Sequence, residues 1–161
     1  MQIIPAIDIL DGKCVRLEQG DYKLKKIYNT SPLEVAKKFE DNGMRYLHLV
    51  DLDGAKSSHI VNYKILEEIC TQTNLAVDFG GGIKSNTDIQ VAFDSGARQI
   101  TAGSVAVMNP ELVEQWIDKY GAKKILLGAD VKNDMVMVNG WKKNTGLDVY
   151  EFITSFMDIG I

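Results

Sequence analysis

A chain of 161 residues, 45% hydrophobic and 25% charged, is long enough to bury a core without disulfides or a structural metal. Its net charge is -4 and its Lys and Arg are scattered, which leaves no basic footprint for a nucleic-acid backbone. No apolar run approaches the roughly 18 residues of a membrane span, and MQIIPAIDIL has no basic stretch and meets Asp8 too early for a secretory leader, so the reading is a cytoplasmic protein.

In chain order, short apolar runs alternate with amphipathic segments of helical period, the pattern of repeated βα units around a parallel sheet. Strands are expected at 2–7, 46–51, 76–79, 99–102 and 124–129, each nearly all apolar, as for strands covered on both faces. The first helix spans 31–43, opened by Ser31 and Pro32 and closed by Gly43, with Leu33, Val35, Ala36 and Phe39 on one face. Helices over 62–71, 85–94, 109–120 and 148–157 follow, with Gly96, Gly121 and Gly160 as stops. Cys14 and Cys70 stand far apart with no CxxC or His-rich neighbour and read as free thiols acting as small buried side chains. No Pro- or Ser-rich linker interrupts the series, so residues 1–161 are read as one β/α domain.

The chain also echoes itself. AIDILDGKCVRL resembles GADVKNDMVMVNGW when Asp8 is laid on Asp130, an offset of 122 residues. Strand, Asp, polar turn and returning β-like run recur together. Twice the offset is close to the roughly 250 residues of an eight-stranded TIM (β/α)8 barrel. The fold expected is therefore α/β, a TIM barrel of which the chain covers about the first five βα units. On this reading the last three units are absent, leaving unpaired strand edges.

In such a barrel, catalytic groups sit where strands end. Asp8, Asp51 and Asp130 are expected there, and Asp8 and Asp130 end strands that lie across an eight-stranded closure from each other. Two carboxylates facing over a pocket can divide proton transfer between a base and an acid; the plainer reading is that each caps its loop. Gly80, Gly81 and Gly82 stand between a strand and a helix, where bare backbone can approach an anion, and Gly103 with Ser104 repeats the arrangement in the next unit. This is a phosphate cradle, or a pair of tight turns. Asp51, Asp53 and His48 can be drawn as a divalent-metal site, but VDLDGAK brings no second histidine as a partner and His48 lies below the strand end, where a hydrogen-bonded core histidine is the simpler account. Trp141 either stacks on a flat heterocycle or covers the core edge. Arg16 and Lys13 either meet a second anion or are solvated loop charges.

With PAIDILDGKCVRLEQGDY, LHLVDLDGAK, GGGI, AGSVAVMNPEL and GADVKNDMVMVNGW all in register, the chain resembles the histidine-biosynthesis isomerase family acting on N'-phosphoribosylformimino-5-aminoimidazole-4-carboxamide ribotide. RLEQGDY with VDLDGA sets it apart from the sister barrel, the cyclase subunit of imidazole glycerol phosphate synthase. The resemblance implies an Amadori rearrangement without a cofactor: a bis-phosphorylated aminoaldose opens to a Schiff base, loses its C2' proton and becomes an aminoketose. It makes Asp8 the proton acceptor and Asp130 the donor to the ring oxygen, and gives Gly81, Gly82, Gly103 and Ser104 to one phosphate. Arg16, His48 and Trp141 complete the expected substrate contacts, with no metal. Lys84 stands where the family commonly has arginine, which keeps the charge and loses the bidentate fork. The second phosphate would fall to the absent units, so a polypeptide ending at Ile161 is expected to lack turnover. Rival readings are the sister cyclase, a metal-dependent phosphosugar epimerase, and a non-catalytic phosphosugar-binding half-barrel. The sequence carries no signature of oligomeric state.

Overall fold

The computed structural model describes residues 3–18, 20–57, 59–138 and 143–161. These fall into two compact units, Met1–Ile100 and Thr101–Ile161. The first contains β1 (Ala6–Leu10), β2 (Lys13–Glu18), β3 (Asp21–Asn29), α1 (Pro32–Asp41), β4 (Tyr46–Asp51), α2 (Leu52–Ser57), α3 (Tyr63–Gln72), β5 (Ala76–Gly80) and α4 (Asn86–Asp94). Its strands run in the order β3-β2-β1-β4-β5, with β1, β4 and β5 parallel and the two hairpin pairings antiparallel.

The helices begin where short polar side chains satisfy the first free N–H groups. Ser31 Oγ accepts from Glu34 N–H at α1, with Pro32 as its first residue, and Ser85 Oγ accepts from Asp88 N–H at α4. Parity then decides which strand residues are core. Ile7 and Ile9, Leu47 and Leu49, and Val77 and Phe79 are almost fully buried, and so are Ala36, Leu66, Ile69, Ile89 and Ala92 of the helices. Each large apolar side chain so buried contributes about 1.5–3 kcal/mol. The alternate positions Asp8, Tyr46, His48, Val50, Ala76 and Asp78 are only partly covered. Coverage on both faces, expected from the apolar runs, is thus corrected: one face is core and the other carries polar groups.

The first strand also differs from expectation. It runs from Ala6 to Leu10 rather than over 2–7, so Asp8 stands in mid-strand, opposite Val15 of β2 and Val50 of β4. The reason is the β1–β2 hairpin, whose antiparallel pairing carries the strand past the point where a parallel neighbour alone would end it. The turn is Asp11-Gly12, with φ 52° and 73°. Positive φ at both central residues matches the right-handed twist of the flanking strands.

The second unit holds β6 (Gln99–Ala102, which straddles the unit boundary), α5 (Ser104–Met108), α6 (Pro110–Tyr120), a single 3-10 turn over Ala122–Lys124, β7 (Ile125–Leu127), β8 (Asp130–Lys132), β9 (Met135–Val138), β10 (Lys143–Asp148) and α7 (Val149–Met157). Asn109 and Asp148 cap α6 and α7 through their side chains. Trp116, Val113 and Ile125 are fully buried, and Phe152 and Phe156 meet edge to face with ring centroids 5.4 Å apart. The strand expected over 124–129 is broken: β7 ends at Leu127, and Asp130 opens a separate antiparallel sheet in the order β10-β9-β8. In that sheet Asp130 pairs with Met137, and the turn is Asn133-Asp134 with φ 52° and 61°. The echo is therefore one of structure: each member of the pair Asp8↔Val15 and of the turn Asp11-Gly12 recurs 122 positions on. Gly12→Val puts a β-branched residue in the left-handed region and is expected to lower stability by about 1–2 kcal/mol, read from the urea midpoint; Asp134→Gly at the equivalent position leaves the midpoint unchanged or raises it.

Candidate functional site

Three parallel strands of the first unit bring ionisable groups onto the half-covered face. Parallel register sets Ala6 beside His48 and His48 beside Asp78, with Asp8 one step further along β1, opposite Val50. His48 Nδ1 lies 2.5 Å from Asp78 Oδ2. Arg16, on β2 next to Asp8's partner Val15, adds a cation near Asp8. Burial pushes the Asp8 carboxyl above the usual carboxylate range, and the charges of His48 and Arg16 draw it partly back. The hydrogen bond to Asp78 raises His48; burial opposes that, and the charges of Asp78 and Asp8 add to it. Asp8, His48 and Arg16, each expected from sequence, are thus brought together.

Asp51 and Asp53 serve a different end. Asp51 is fully buried, and its carboxylate accepts from Gly54 N–H, Val61 N–H and Asn62 N–H, each at 2.8 Å, and from Asn62 Nδ2 at 2.6 Å. Asp53 Oδ2 accepts from Asn62 Nδ2 at 2.8 Å and from Asp11 N–H at 2.9 Å, which ties the β1–β2 turn to the loop after β4. The Tyr22 hydroxyl donates to Leu52 O at 3.1 Å and fastens β3 to the same loop. Asp51, Asp53 and His48 therefore do not assemble as metal ligands, and among the described residues no group of three or more His, Cys, Asp and Glu is placed to hold a metal ion. VDLDGA builds a loop.

Gly81 and Gly82 follow β5 with φ 94° and 80°. A Cβ on Gly81 would collide with the Asp51 carbonyl, and one on Gly82 with the His59 carbonyl and Gly54 Cα. Both must be glycine for the Asp51 loop to lie against them, a packing reason that stands beside any phosphate they bind through backbone N–H groups. In the second unit, Gly103 precedes α5 and Ser104 is its first residue, while Gly128 N–H donates to Ala102 O at 2.9 Å. No atom lies closer than 4.0 Å to where a Cβ on Gly103 would be. Asp130 is exposed at the head of its hairpin, and partial burial of the carboxyl still raises it. Trp141 lies outside the described residues.

A cavity of about 340 Å³ is lined by Asp8 and Arg16 together with Cys14, Tyr28, Val35 and Phe39. Its lining is mostly apolar, with Asp8 and Arg16 as its charged members. Both cysteines are free thiols; Cys14 is buried as expected, while Cys70 is only half-buried, and that burial drives its thiol up to about 11. Sequence reasoning missed Asp78, Tyr22 and Asn62. Asp78 was discoverable, since it lies two residues before Gly80 and so shares a strand face with it.

Because Asp8's folded value lies above its unfolded one, the folded chain holds the proton more tightly, and stability falls as pH rises from about 3.8 through the higher folded value. At neutral pH the ionised Asp8 is a cost. Asp8→Asn is expected to raise the thermal midpoint at pH 7, with the gain shrinking as pH is lowered through the carboxylate range.

Residues 2–161 match the family model described as histidine biosynthesis protein. Over all 161 residues the chain is 62% identical to a protein of Flavobacterium psychrophilum, 60% to one of Flavobacterium johnsoniae and 57% to one of Bacteroides thetaiotaomicron. Each of these is named 1-(5-phosphoribosyl)-5-((5-phosphoribosylamino)methylideneamino)imidazole-4-carboxamide isomerase, and the chain spans 67% of its length. The family is a TIM-barrel family, to which the α/β order and parallel sheet of the first unit conform. The chain belongs to the histidine biosynthesis protein family.

Proposed function

We propose that this chain carries the aldose-ketose isomerase chemistry of its relatives, an Amadori rearrangement of the bis-phosphorylated aminoaldose to its ribulosyl isomer. One observation carries the reading: the matched relatives bear the isomerase name, and the chain keeps Asp8 on a partly covered sheet face beside a protonatable histidine and an arginine. A carboxylate so placed has the raised basicity that suits a proton acceptor at C2'. Asp130, at the repeat-equivalent position, is the proposed donor to the ring oxygen. General acid-base groups contribute about 10²–10⁴-fold each.

The substrate contacts proposed are Gly81, Gly82, Gly103 and Ser104 for one phosphate, with Arg16, His48 and Trp141 around the remainder. Backbone N–H groups at strand-to-helix turns suit an anion because they are fixed donors near a helix start. The chemistry needs only proton transfers and carbon–oxygen bond changes within one molecule, so the acid and base suffice in principle. Residues 1–161 are proposed to be one barrel domain, working in the cytoplasm; among the described residues no helix is long and apolar enough to cross a membrane.

Turnover is to be measured with the chain alone and with the chain continued by the remaining third of the Flavobacterium psychrophilum relative. In whichever form turns over, Asp8→Asn and Asp130→Asn are each expected to lower kcat by about 10²–10⁴-fold with KM little changed. A kcat reduced less than tenfold by Asp8→Asn defeats the assignment of the base.

A further inference from the structure

The pair His48–Asp78 has no part in the proton transfers assigned to Asp8 and Asp130, yet it occupies the same sheet face one step from Asp8. Histidine in mid-strand is usually satisfied by a backbone carbonyl or by water. Here the strand register itself sets an aspartate beside it, and Nδ1 meets Oδ2 at 2.5 Å. The Asp78 side chain is 13% exposed and that of His48 33%, so the carboxylate is the shielded member and the ring reaches outward. An imidazole whose Nδ1 faces a carboxylate keeps its proton there, and the other nitrogen is left to act.

We propose that Asp78 is a positioning residue: its carboxylate fixes the His48 ring through Nδ1–H, so that Nε2 alone meets the ligand on the Asp8 face, as a donor in the imidazolium and an acceptor in the neutral ring. The proposal rests on the isomerase reading for its catalytic consequence only. An anionic, hydroxyl-rich phosphosugar is best met by the imidazolium, a charged donor whose bonds are roughly twice as strong as neutral ones. Among the described residues the charged groups near the ring are Asp78 on β5 and Asp8 on β1, with Arg16 on β2 acting on Asp8. Both carboxylates favour the imidazolium, which places His48's titration above the ordinary histidine value of 6.5.

A histidine that binds its proton more tightly when folded contributes stability that is complete below about 6.5 and is lost as pH rises through its folded value. Asp78→Asn keeps an acceptor for Nδ1–H and removes the charge; Asp78→Glu returns the charge on a longer stem.

The test is a ¹⁵N NMR titration of the His48 ring, read without substrate. In the unaltered chain the ring at high pH is expected as the Nδ1–H tautomer, and its titration above 6.5. Asp78→Asn should bring the titration down toward the ordinary histidine value, and Asp78→Glu should restore most of that. An Nε2–H tautomer in the unaltered chain, which needs no variant to fold, overturns the proposal, as does a titration unmoved by Asp78→Asn. In the turnover assay the alkaline limb of kcat/KM should move with the His48 titration in Asp78→Asn. A limb that stays put while the ring's titration moves refutes the positioning role and leaves the isomerase reading intact, whereas a chain continued by the relative's remaining third that turns over no substrate but shows the expected ring defeats that reading and not this one.

Discussion

A buried carboxylate is stable only if donors or a cation surround it, and Asp51 meets that condition with four N–H bonds from the segment after β4. Much of the first unit depends on this arrangement. Gly54 must lack a side chain because a Cβ there would stand 2.6 Å from Asp51 Oδ2, and Gly81 must lack one because its Cβ would strike the Asp51 carbonyl. Asn62 bridges Asp51 to Asp53, Asp53 holds the turn of the first hairpin through Asp11 N–H, and Tyr22 pins the second hairpin to Leu52. The rim of the sheet is thus a chain of hydrogen bonds anchored on one buried group. Removing its acceptor would strand several donors at about 1–3 kcal/mol each.

This changes how the glycine run after β5 is understood. A triple glycine between strand and helix suggests an anion cradle, and that suggestion is sound as far as backbone donors go. The positive φ at Gly81 and Gly82 and the loop pressed against them supply an independent reason for both residues. A single sequence feature can answer two constraints together, and packing is the one that geometry within the first unit establishes.

What was legible in the sequence tracks what is local. Ser31-Pro32, Ser85, Asn109-Pro110 and Asp148 announced four helices because a cap is a bond between neighbours, and the strands at 46–51, 76–79 and 99–102 were legible because their apolar residues are the core. β3 was not. DYKLKKIYN is exposed along almost its whole length, and its alternation, begun at Tyr22 and Leu24, breaks at Lys26, at the edge of the sheet where no core holds it in step. The helix α2 was hidden for another reason: LDGAKS is a weak helix former, and the Asp51 bond to Gly54 N–H sets its first turn from outside. Asp11-Gly12 is a hairpin signal in its own right, and giving it weight would have carried β1 past Asp8. The His48–Asp78 contact spans 30 residues and depends on register, which alternation suggests and only the folded sheet reveals.

The mid-strand position of Asp8 bears on chemistry as well as on topology. A carboxylate on a loop at a strand end is free to turn toward water, and its acidity stays near that of a free side chain. One held between two paired strands loses rotamer freedom and part of its hydration, so it is oriented and made more basic by the same constraint. The nearby imidazole and guanidinium oppose that shift, drawing the carboxyl partly back toward its ordinary range. Asp130, pairing with Met137 as Asp8 pairs with Val15, has the same hairpin support but a more exposed carboxyl, and among the described residues burial is the cause that raises it. The acid and base proposed for this pair share a residue type, so only a difference in surroundings of this kind could separate their proton affinities.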